Sequence, residues 1–548
     1  MSQRSTSQTT AESIGAEAAP DGWRNVSRAE AVAWLVFVGT VAALTLLPHL
    51  GGRDLWGGDE ASHAQAAREM LAAGRWWTIT YLGQPPPWDK PPVDYWLLAG
   101  ALRLLGPSAW SVCVPAAVAG ILTALVTYGL GARLQGPRAG GLAGFVLATT
   151  FLFIYKARTA FVDVPLLACL TAAIAAGHAA LTARAWRLWV VLASVCLAAG
   201  TALKGLVGLG LPLLVLAVGI RGALAQWRRL AVMAGLTLLW VVPLYAAFGA
   251  DFTARFLAFD HLRRFFVAHY RLGGKYPWYF YGPVFLSQGL PWTVFLPAVC
   301  AGLRTIPEAV RRWRLPLAWC AITFLVLTVS ANKREPYLLP VFPGFALLVG
   351  GVADAVLAGR AGAALLRWWR LGVLGVGAGL GLAMLALVLG VSPRIAPIPW
   401  GFGHLLLGAL AVGVVSFGWR ATPRRLAVPV VLLVVGASQV LAWQVLPAMN
   451  PTRSARAAAE QLRVGTAGAP VAVAGDVEPG VIYYLNLLPP RDAAILPAGI
   501  RQALRTGFRV LVARHMLPDG ILERADIAIR ARAHLDHSEY LVLSRESP

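Results

Sequence analysis

The polar stretch Asp54–Trp96 decides how this chain folds: DLWGGDEASHAQAAREMLAAGRWWTITYLGQPPPWDKPPVDYW. It lies between two long apolar segments. It carries Asp59 and Glu60 side by side, and Asp89 and Lys90 follow inside a run of prolines. Tryptophan and tyrosine side chains lie between the two charged pairs. Such polar density in an otherwise apolar sequence predicts the extracytoplasmic rim of a membrane-embedded active site.

The composition is that of a polytopic α-helical membrane protein. Of the 548 residues, 57% are hydrophobic and only 14% are charged, and apolar runs reach the roughly 20 residues that a bilayer crossing requires. In a soluble chain, a formal net charge of +22 would indicate nucleic-acid binding. Arginines in cytoplasmic loops, where they fix membrane topology, explain the charge here. We therefore expect no nucleic-acid partner.

Thirteen apolar runs predict the membrane crossings of a transmembrane domain over 29–449. They lie near 29–49, 110–132, 139–156, 160–181, 187–202, 204–220, 229–249, 278–301, 315–330, 338–359, 368–391, 402–419 and 426–447. The apolar segment 94–106 is too short to span and is expected to lie at the interface. Residues 1–28 predict a disordered tail, and the first apolar run is expected to be a retained anchor.

The charges of the loops predict the topology. Alternate loops are short and basic; they contain Arg133 and Arg138; Arg184 and Arg187; Arg221, Arg228 and Arg229; Arg304, Arg311, Arg312 and Arg314; Arg360, Arg367 and Arg370; and Arg420, Arg424 and Arg425. The positive-inside rule makes these loops cytoplasmic, together with the N-terminus. The first outer loop, 50–109, and the C-terminal region then lie outside.

Residues 450–548 change character and predict a small extracytoplasmic α/β domain. Short apolar runs at 471–474, 510–513 and 540–543 alternate with helix-like stretches at 455–462, 481–487 and 500–505. With little chemistry of its own, this domain is interpreted as a support or lid. The five cysteines, Cys113, Cys169, Cys196, Cys300 and Cys320, form no CxxC pair and are interpreted as small buried hydrophobic residues.

Two interpretations are open for the adjacent acids. Asp59 and Glu60 begin an Ala-rich stretch that ends at Gly74, which predicts a short helix with a C-terminal glycine. Carboxylates at a helix N-terminus commonly satisfy free backbone N–H groups and the helix dipole. Alternatively, one of them faces the membrane cavity as a general base, a substrate acceptor or a metal ligand.

Lys90 and its surroundings are more specific. Prolines at 85–87 and 91–92 remove backbone donors and stiffen the loop, so the lysine is presented at a fixed place. It could snorkel to the interface or grip a phosphate as a point charge. The aromatic residues nearby suit an interfacial belt and a sugar-stacking surface equally well; they are Trp76, Trp77, Tyr81, Trp88, Tyr95 and Trp96.

Several ordered motifs together resemble the aminoarabinose transferase-like glycosyltransferases, which are related to the protein O-mannosyltransferases and have the membrane-embedded GT-C fold. After GDEASHAQAAREMLAAGRW and YLGQPPPWDKPPVDYW in the first outer loop come KARTAFVDVPL (Lys156–Leu166), LKGLVGLGLP (Leu203–Pro212), FDHLRRF with YPWYFYGPVFLSQGLPW (Phe259–Trp292) and SANKREPYLLPVFP (Ser330–Pro343). The motifs cover roughly residues 30–350; beyond them the resemblance rests on layout.

The resemblance implies transfer of a sugar from a polyprenyl-phosphate donor (undecaprenyl phosphate in bacteria) to a lipid A-like or other glycan or lipid acceptor at the outer face of the bacterial inner membrane. The implied catalytic carboxylates are Asp59, Asp163 and, next to the first, Glu60. The implied contacts to the donor phosphate are Lys90, Arg264, Lys333 and Tyr337. Other implied substrate contacts are His261, Asp89, Tyr95 and Lys204.

Some positions depart from the family pattern or have a structural interpretation. Asp89 and Asp260 stand where the family usually has Glu, which leaves a divalent metal and the acceptor type open; no cofactor is implied with certainty. Asp163 could form an interfacial ion pair with Arg158, and Lys204 could anchor a helix end. His63 and His178 are interpreted as structural, since a lone histidine without a partner motif is weak evidence.

Two alternative functions remain. One is a protein O-mannosyltransferase-like enzyme, which belongs to the same class. The other is a lipid-linked sugar transporter, which would bind the same headgroups without a catalytic carboxylate. A transporter predicts ionisable residues inside its helices, whereas this sequence predicts that they gather at one membrane face.

Overall fold

The computed structural model describes residues 27–86, 91–249, 276–306, 309–390, 401–467, 469–475, 477–487, 493–495, 500–517, 521–524, 526–535 and 538–545. The predictions for Asp89, Lys90, His261 and Arg264 fall outside the described residues.

Helices dominate the chain up to residue 453. In order they are α1 Arg28–Leu46, α2 Gly57–Ala73, α3 Val93–Leu105, α4 Ala109–Gln135, α5 Pro137–Ala148, α6 Phe151–Ala157, α7 Asp163–Thr182, α8 Trp186–Lys204, α9 Leu206–Gly219, α10 Trp227–Ala247, α11 Tyr281–Gln288, α12 Leu296–Thr305, α13 Ala309–Arg312, α14 Arg314–Val329, α15 Val341–Leu357, α16 Ala363–Val388, α17 Phe402–Gly418, α18 Pro423–Val440, α19 Leu446–Ala448 and α20 Asn450–Arg453. The short helix predicted before Gly74 is α2, and Gly74 ends it with φ of 65°.

The apolar helices of the structure lie at the positions of the predicted membrane crossings. Among the described residues, seven helices are long and apolar enough to cross a bilayer, or up to nine if each of two bent helix pairs is one span. The bent pairs are α5 with α6, at 65°, and α11 with the segment Trp292–Thr305, at 106°. Shorter apolar helices occupy the remaining predicted positions. The polytopic helical architecture is confirmed, and the count of thirteen crossings stays a prediction.

All six basic loops lie at one end of the helical bundle, because side-chain contacts connect them into one group. Arginines of one loop bind groups at the edge of another, in the pairs Arg133 with Thr182, Arg229 with the carbonyl of Ala180, Arg314 with the carbonyl of Val218, Arg138 and Arg360 with Asp354, and Arg424 with the carbonyl of Leu357. Loops that alternate in sequence therefore share one face, as the charge pattern predicts.

Close contact between α4 and α5 rests on glycine. A Cβ atom on Gly140 of α5 would lie 2.4 Å from the backbone nitrogen of Ala132 and 2.5 Å from the carbonyl oxygen of Tyr128, both in α4. Only a residue without a side chain lets the two backbones approach this closely, which is a common device in membrane helix packing.

Arg158 has a structural position. It is buried, and its guanidinium donates to four carbonyls at the end of α1 and just after it, those of Thr45, Leu46, Pro48 and His49. Because the last carbonyls of a helix have no partner within the helix, the arginine satisfies them. The suggested ion pair between Arg158 and Asp163 is wrong, since Asp163 pairs with Lys204 at 2.5 Å.

The C-terminal region contains a five-stranded sheet. Its helices are α21 Arg456–Thr466, α22 Pro479–Leu485 and α23 Ile500–Arg505, and its strands are β1 Val471–Ala474, β2 Ala493–Ile495, β3 Arg509–Ala513, β4 Ile527–Leu535 and β5 Ser538–Arg545. The strand order is β2-β1-β3-β5-β4, parallel over the first three strands and antiparallel at β3–β5 and β5–β4. Strands β2 and β4 were not predicted. One face packs on α21 and α22 and the other on α23.

This sheet region packs against the segment 50–109. The hydroxyl of Tyr484 accepts from the backbone N–H of Leu55 at 2.8 Å, and the side chain of Gln65 in α2 donates to the carbonyl of Leu487 at 2.7 Å. Ser454 donates to Asp54 at 2.8 Å. The interpretation as a support agrees with these contacts, while the domain boundary at 450 stays a prediction. Of the five cysteines interpreted as buried, Cys113 is buried, Cys169, Cys196 and Cys320 are partly exposed, and the prediction is wrong for Cys300, which is exposed.

Candidate active site

Helix α2 places the two adjacent acids in different surroundings. It begins after Trp56, and Gly57 has a φ of 73°, which turns the chain into the helix. Asp59 and Glu60 both lie in the first turn, where the helix dipole favours carboxylates. Since successive residues of a helix point about 100° apart, only one of the two faces open space. That residue is Asp59, whose side chain is 42% exposed, whereas Glu60 is 1% exposed.

The Glu60 carboxylate joins three parts of the chain. It accepts from Arg53 Nη2 at 2.5 Å, from the N–H of Trp56 at 2.8 Å and from the N–H of Ala160 at 3.2 Å. Burial by itself lowers the pKa of Arg53, but the Glu60 carboxylate outweighs burial and raises that pKa above its ordinary value. The Arg53 guanidinium is therefore charged at all working pH values. These contacts favour a structural role for Glu60 over a catalytic one.

Asp59 faces a cation from a distant part of the chain. Its Oδ2 lies 3.6 Å from Nη1 of Arg334, whose side chain is 35% exposed. The separation is longer than a good hydrogen bond, so the carboxylate is attracted by the guanidinium without being saturated by it. A half-exposed carboxylate beside a cation can orient a hydroxyl or take its proton.

Buried neighbours hold Arg334 in place. The hydroxyl of Tyr281 accepts from the N–H of Arg334 at 3.2 Å and donates to its carbonyl at 3.3 Å. The preceding residue, Lys333, is buried, and its Nζ donates to the carbonyl of Ser330 at 2.7 Å. Of the two neighbouring cations, Arg334 is the one exposed towards Asp59. A phosphate contact from Lys333 would use the other N–H donors of its ammonium group and would require the phosphate to reach a buried side chain.

Asp163, Lys204 and Tyr337 form a second cluster at the same end. Asp163 is the first residue of α7 and Lys204 is the last residue of α8, and their side chains are 2.5 Å apart. The Lys204 ammonium also lies 4.9 Å from the centre of the Tyr337 ring, within the range of a cation–π contact. Lys204 thus ends a helix, as the alternative interpretation held, and also pairs with a proposed catalytic acid.

The two clusters share one short segment. Arg334 contacts Asp59, and three residues later Tyr337 contacts Lys204, with a 3₁₀ helix at Glu335–Leu338 between them. The segment 334–337 therefore brings together carboxylates from the first outer loop and from the start of α7. Two carboxylates and two cations are thus linked through one segment, a combination that suits a reaction in which negative charge develops on a leaving group.

A buried layer lies under Asp59. His63, one helical turn after Asp59, bonds through Nδ1 to Asp94 at 2.8 Å. Tyr95 is fully buried, and its ring centre is 5.1 Å from that of His63. The interpretation of His63 as structural agrees with this buried pair, although its partner Asp94 was not predicted. The position of Tyr95 suits support of α2 better than direct contact with a substrate.

The structure adds two cations that the sequence analysis did not select. Arg334 and Lys156 both stand inside quoted motifs, and Lys156 is buried with its Nζ 4.8 Å from the ring centre of Phe161. The signal for Arg334 was its place between Lys333 and Glu335 in an outer loop. Among the residues that the structure describes, no group of three His, Cys, Asp or Glu side chains could hold a metal ion.

Comparisons with known sequences agree on one family. The family model described as dolichyl-phosphate-mannose-protein mannosyltransferase matches residues 89–257. The undecaprenyl phosphate-α-4-amino-4-deoxy-L-arabinose arabinosyl transferase of Edwardsiella ictaluri is 31% identical over 396 residues, which are 69% of this chain and 69% of that protein. The enzyme of the same name from Pectobacterium carotovorum is 31% identical over 401 residues, 69% of this chain and 68% of its own.

Solved structures share the fold. The crystal structure of ArnT from Cupriavidus metallidurans bound to undecaprenyl phosphate superposes with a TM-score of 0.76 at 19% identity, covering 93% of this chain and 98% of ArnT. The archaeal oligosaccharyltransferase AglB from Archaeoglobus fulgidus gives a TM-score of 0.51 at 13% identity, covering 88% of this chain and 69% of AglB.

Proposed function

Because this chain belongs to the family of the undecaprenyl phosphate-aminoarabinose arabinosyl transferases, membrane glycosyltransferases of the GT-C type, we propose that it transfers a sugar from undecaprenyl phosphate to a lipid A-like acceptor. Its named relatives act on an aminoarabinose linked to that lipid phosphate. The observation that carries the proposal is the half-exposed carboxylate of Asp59 beside Arg334, at the same end as Asp163 and Lys204.

The proposed reaction is a displacement at the anomeric carbon. The acceptor oxygen forms a bond to that carbon while the bond from the carbon to the phosphate oxygen breaks, and the lipid phosphate leaves as an anion. Arg334 and Lys204 are proposed to stabilise the charge on that phosphate, which their positions beside Asp59 and Tyr337 support. Lys90 and Arg264 are proposed as further phosphate contacts. If the acceptor is a hydroxyl, Asp59 takes its proton; if the acceptor is a phosphate, Asp59 orients it.

The chain is a multi-pass inner-membrane protein, and we propose that its basic end faces the cytoplasm. The six arginine-rich loops that share one end of the bundle support this orientation under the positive-inside rule. The proposed site and the C-terminal sheet then lie outside. A cysteine introduced at exposed Arg505 should react with a membrane-impermeant thiol reagent in intact spheroplasts.

A reconstituted transfer assay tests the function. Purified protein in nanodiscs receives undecaprenyl-phosphate-linked aminoarabinose and lipid A, and mass spectrometry follows the acceptor. We expect a lipid A species heavier by one aminoarabinose residue. A parallel reaction with polyprenyl-phosphate mannose and an acceptor peptide tests the O-mannosyltransferase alternative. Transfer to the peptide without transfer to lipid A would contradict the proposal, and donor movement across the membrane of sealed proteoliposomes without transfer would favour the transporter.

Lys204→Ala is expected to slow transfer and weaken donor binding. Loss of one cation beside a phosphate should lower kcat/KM for the donor about 10- to 100-fold, because charged hydrogen bonds contribute roughly 1.5–3 kcal/mol. The measurement is kcat and KM for the donor in nanodiscs. Lys204→Arg, which keeps the charge, should recover part of the loss, and Arg228→Ala, at the exposed basic end, is the matched control. An unchanged KM for the donor would reduce Lys204 to a helix anchor.

A further inference from the structure

A cleft between α2, the start of α4 and the C-terminal sheet region is not used by the proposed reaction. Its volume is about 490 Å³, within the usual range of small-molecule sites. Three arginines, two tyrosines and a tryptophan stand in its walls: Arg68, Arg456, Arg463, Tyr483, Tyr484 and Trp110. One acid, Glu460, is among the lining residues. Positive charge and aromatic rings around one cavity suit an anionic sugar.

The positive charge of two of the arginines is not neutralised by any described carboxylate. Arg68 is fixed by a bond to the carbonyl of Tyr483 at 2.9 Å and by stacking 3.9 Å from the centre of the Tyr483 ring. Arg463 donates to the carbonyl of Tyr484 at 3.1 Å. No described carboxylate lies within ion-pair distance of either arginine. Such preorganised guanidinium groups match the geometry of a phosphate.

The floor of the cleft lies at the membrane boundary. Ala109 and Trp110 line it and begin α4, one of the helices long enough to cross a bilayer. Next to it, Leu104 is 83% exposed, and Leu105 and Trp110 are each 43% exposed. An edge of apolar side chains below a ring of arginines fits an amphiphile, with acyl chains in the hydrocarbon layer and a charged headgroup above it.

The cleft is separate from Asp59. Arg68 comes nine residues after Asp59 in the same helix, which places it about 13 Å farther along the axis and on the opposite face. A ligand group held at Arg68 is therefore too far from Asp59 to be the reacting group. It is at the right distance to be another part of a large acceptor.

We propose that this cleft binds a phosphorylated sugar of the lipid acceptor's headgroup, away from the sugar that reacts. The inference rests on the proposed function and extends it by giving the acceptor its own anchoring site, with Arg68 and Arg463 contacting the phosphate and Trp110 lying at the acyl-chain boundary. The donor phosphate, on the Asp59 side of α2, does not enter this cleft.

Arg463→Glu tests the site by direct binding, independently of turnover. The full chain carrying Asp59→Asn, so that no transfer intervenes, is placed in phosphatidylcholine nanodiscs and titrated with lipid A. We expect the charge reversal to weaken binding about 10- to 100-fold. Arg505→Glu, an exposed arginine on the helix against the other face of the sheet, should bind as the parent does. Arg463→Gln is the second variant and should give an intermediate loss.

Three ligands distinguish the sources of the phosphate. Enzymatically dephosphorylated lipid A should bind weakly and be insensitive to Arg463→Glu. Glucosamine 1-phosphate, which lacks acyl chains, should compete only at much higher concentration, and phosphatidylglycerol should compete poorly. Equal binding by the parent and Arg463→Glu chains, or equal competition by phosphatidylglycerol, overturns the proposal. If the transfer assay itself fails, these binding results still decide whether the cleft takes a phosphorylated sugar lipid.

Discussion

Asp59→Asn is expected to lower sugar transfer by about 100- to 10,000-fold, the usual contribution of a general base. The amide has nearly the shape of the carboxylate but cannot accept a proton, and it loses attraction for Arg334, 3.6 Å away. Because the side chain is 42% exposed, the thermal unfolding temperature should change little. Initial rates in nanodiscs, together with unfolding in the same detergent, check both expectations.

The control for this loss is Asp526→Asn, a surface acid of the sheet region whose side chain is 42% exposed and paired with Arg524. It should transfer sugar at the parent rate. A near-parent rate in Asp59→Asn would remove Asp59 from the catalytic role and leave Asp163 as the remaining proposed carboxylate. If the acceptor reacts through a phosphate, which needs no proton removed, the loss should appear mainly in KM for the acceptor.

Glu60→Ala is expected to destabilise the protein by about 3–5 kcal/mol, the cost of breaking a buried ion pair from one side. It leaves the Arg53 guanidinium buried without its carboxylate and removes the acceptor for the N–H groups of Trp56 and Ala160. We expect a low yield in membranes and a lower unfolding temperature. Thermal unfolding of purified protein, with and without lipid, measures the effect.

A double variant separates the charge from the hydrogen bonds. Arg53→Met with Glu60→Leu removes both charges and fills similar volume, so it should recover part of the stability lost in Glu60→Ala. Recovery should be incomplete, because the two backbone N–H groups still lack their acceptor. A Glu60→Ala chain that unfolds like the parent but transfers no sugar would assign Glu60 to catalysis instead.

The sequence was most informative where one physical rule acts over a long segment. Apolar runs place the helices because a bilayer imposes a minimum length, and arginine asymmetry sorts the loops into the two sets that the structure separates. It was least informative in the C-terminal sheet. Strand β4, IAIRARAHL, alternates apolar residues with arginines and histidine, and β2 has only three residues. The alternation in β4 is a strand pattern that was missed because the other strands were predicted from runs of four apolar residues, and β2 is too short to carry a pattern.

At the site, residue type was predictable and role was not. Asp59 and Glu60 are neighbours with similar chemistry, and the sequence does not say which one meets Arg53 and which one meets Arg334. Those partners come from different directions, one from the preceding loop and the other from about 275 residues downstream. Lys333 and Tyr95 belong to recognisable motifs, but only packing shows that both are buried.

The hydrogen bonds between the segment 50–109 and the C-terminal region also have a consequence for biosynthesis. The Leu55–Tyr484 and Asp54–Ser454 hydrogen bonds join residues 429 and 400 positions apart. At about 5–20 residues per second, a ribosome needs roughly 20–80 s to make the second partner after the first. During that interval the helix bearing Asp59 lacks its contacts with the C-terminal region. A nascent chain should therefore be inactive until its last hundred or so residues have been made and have docked.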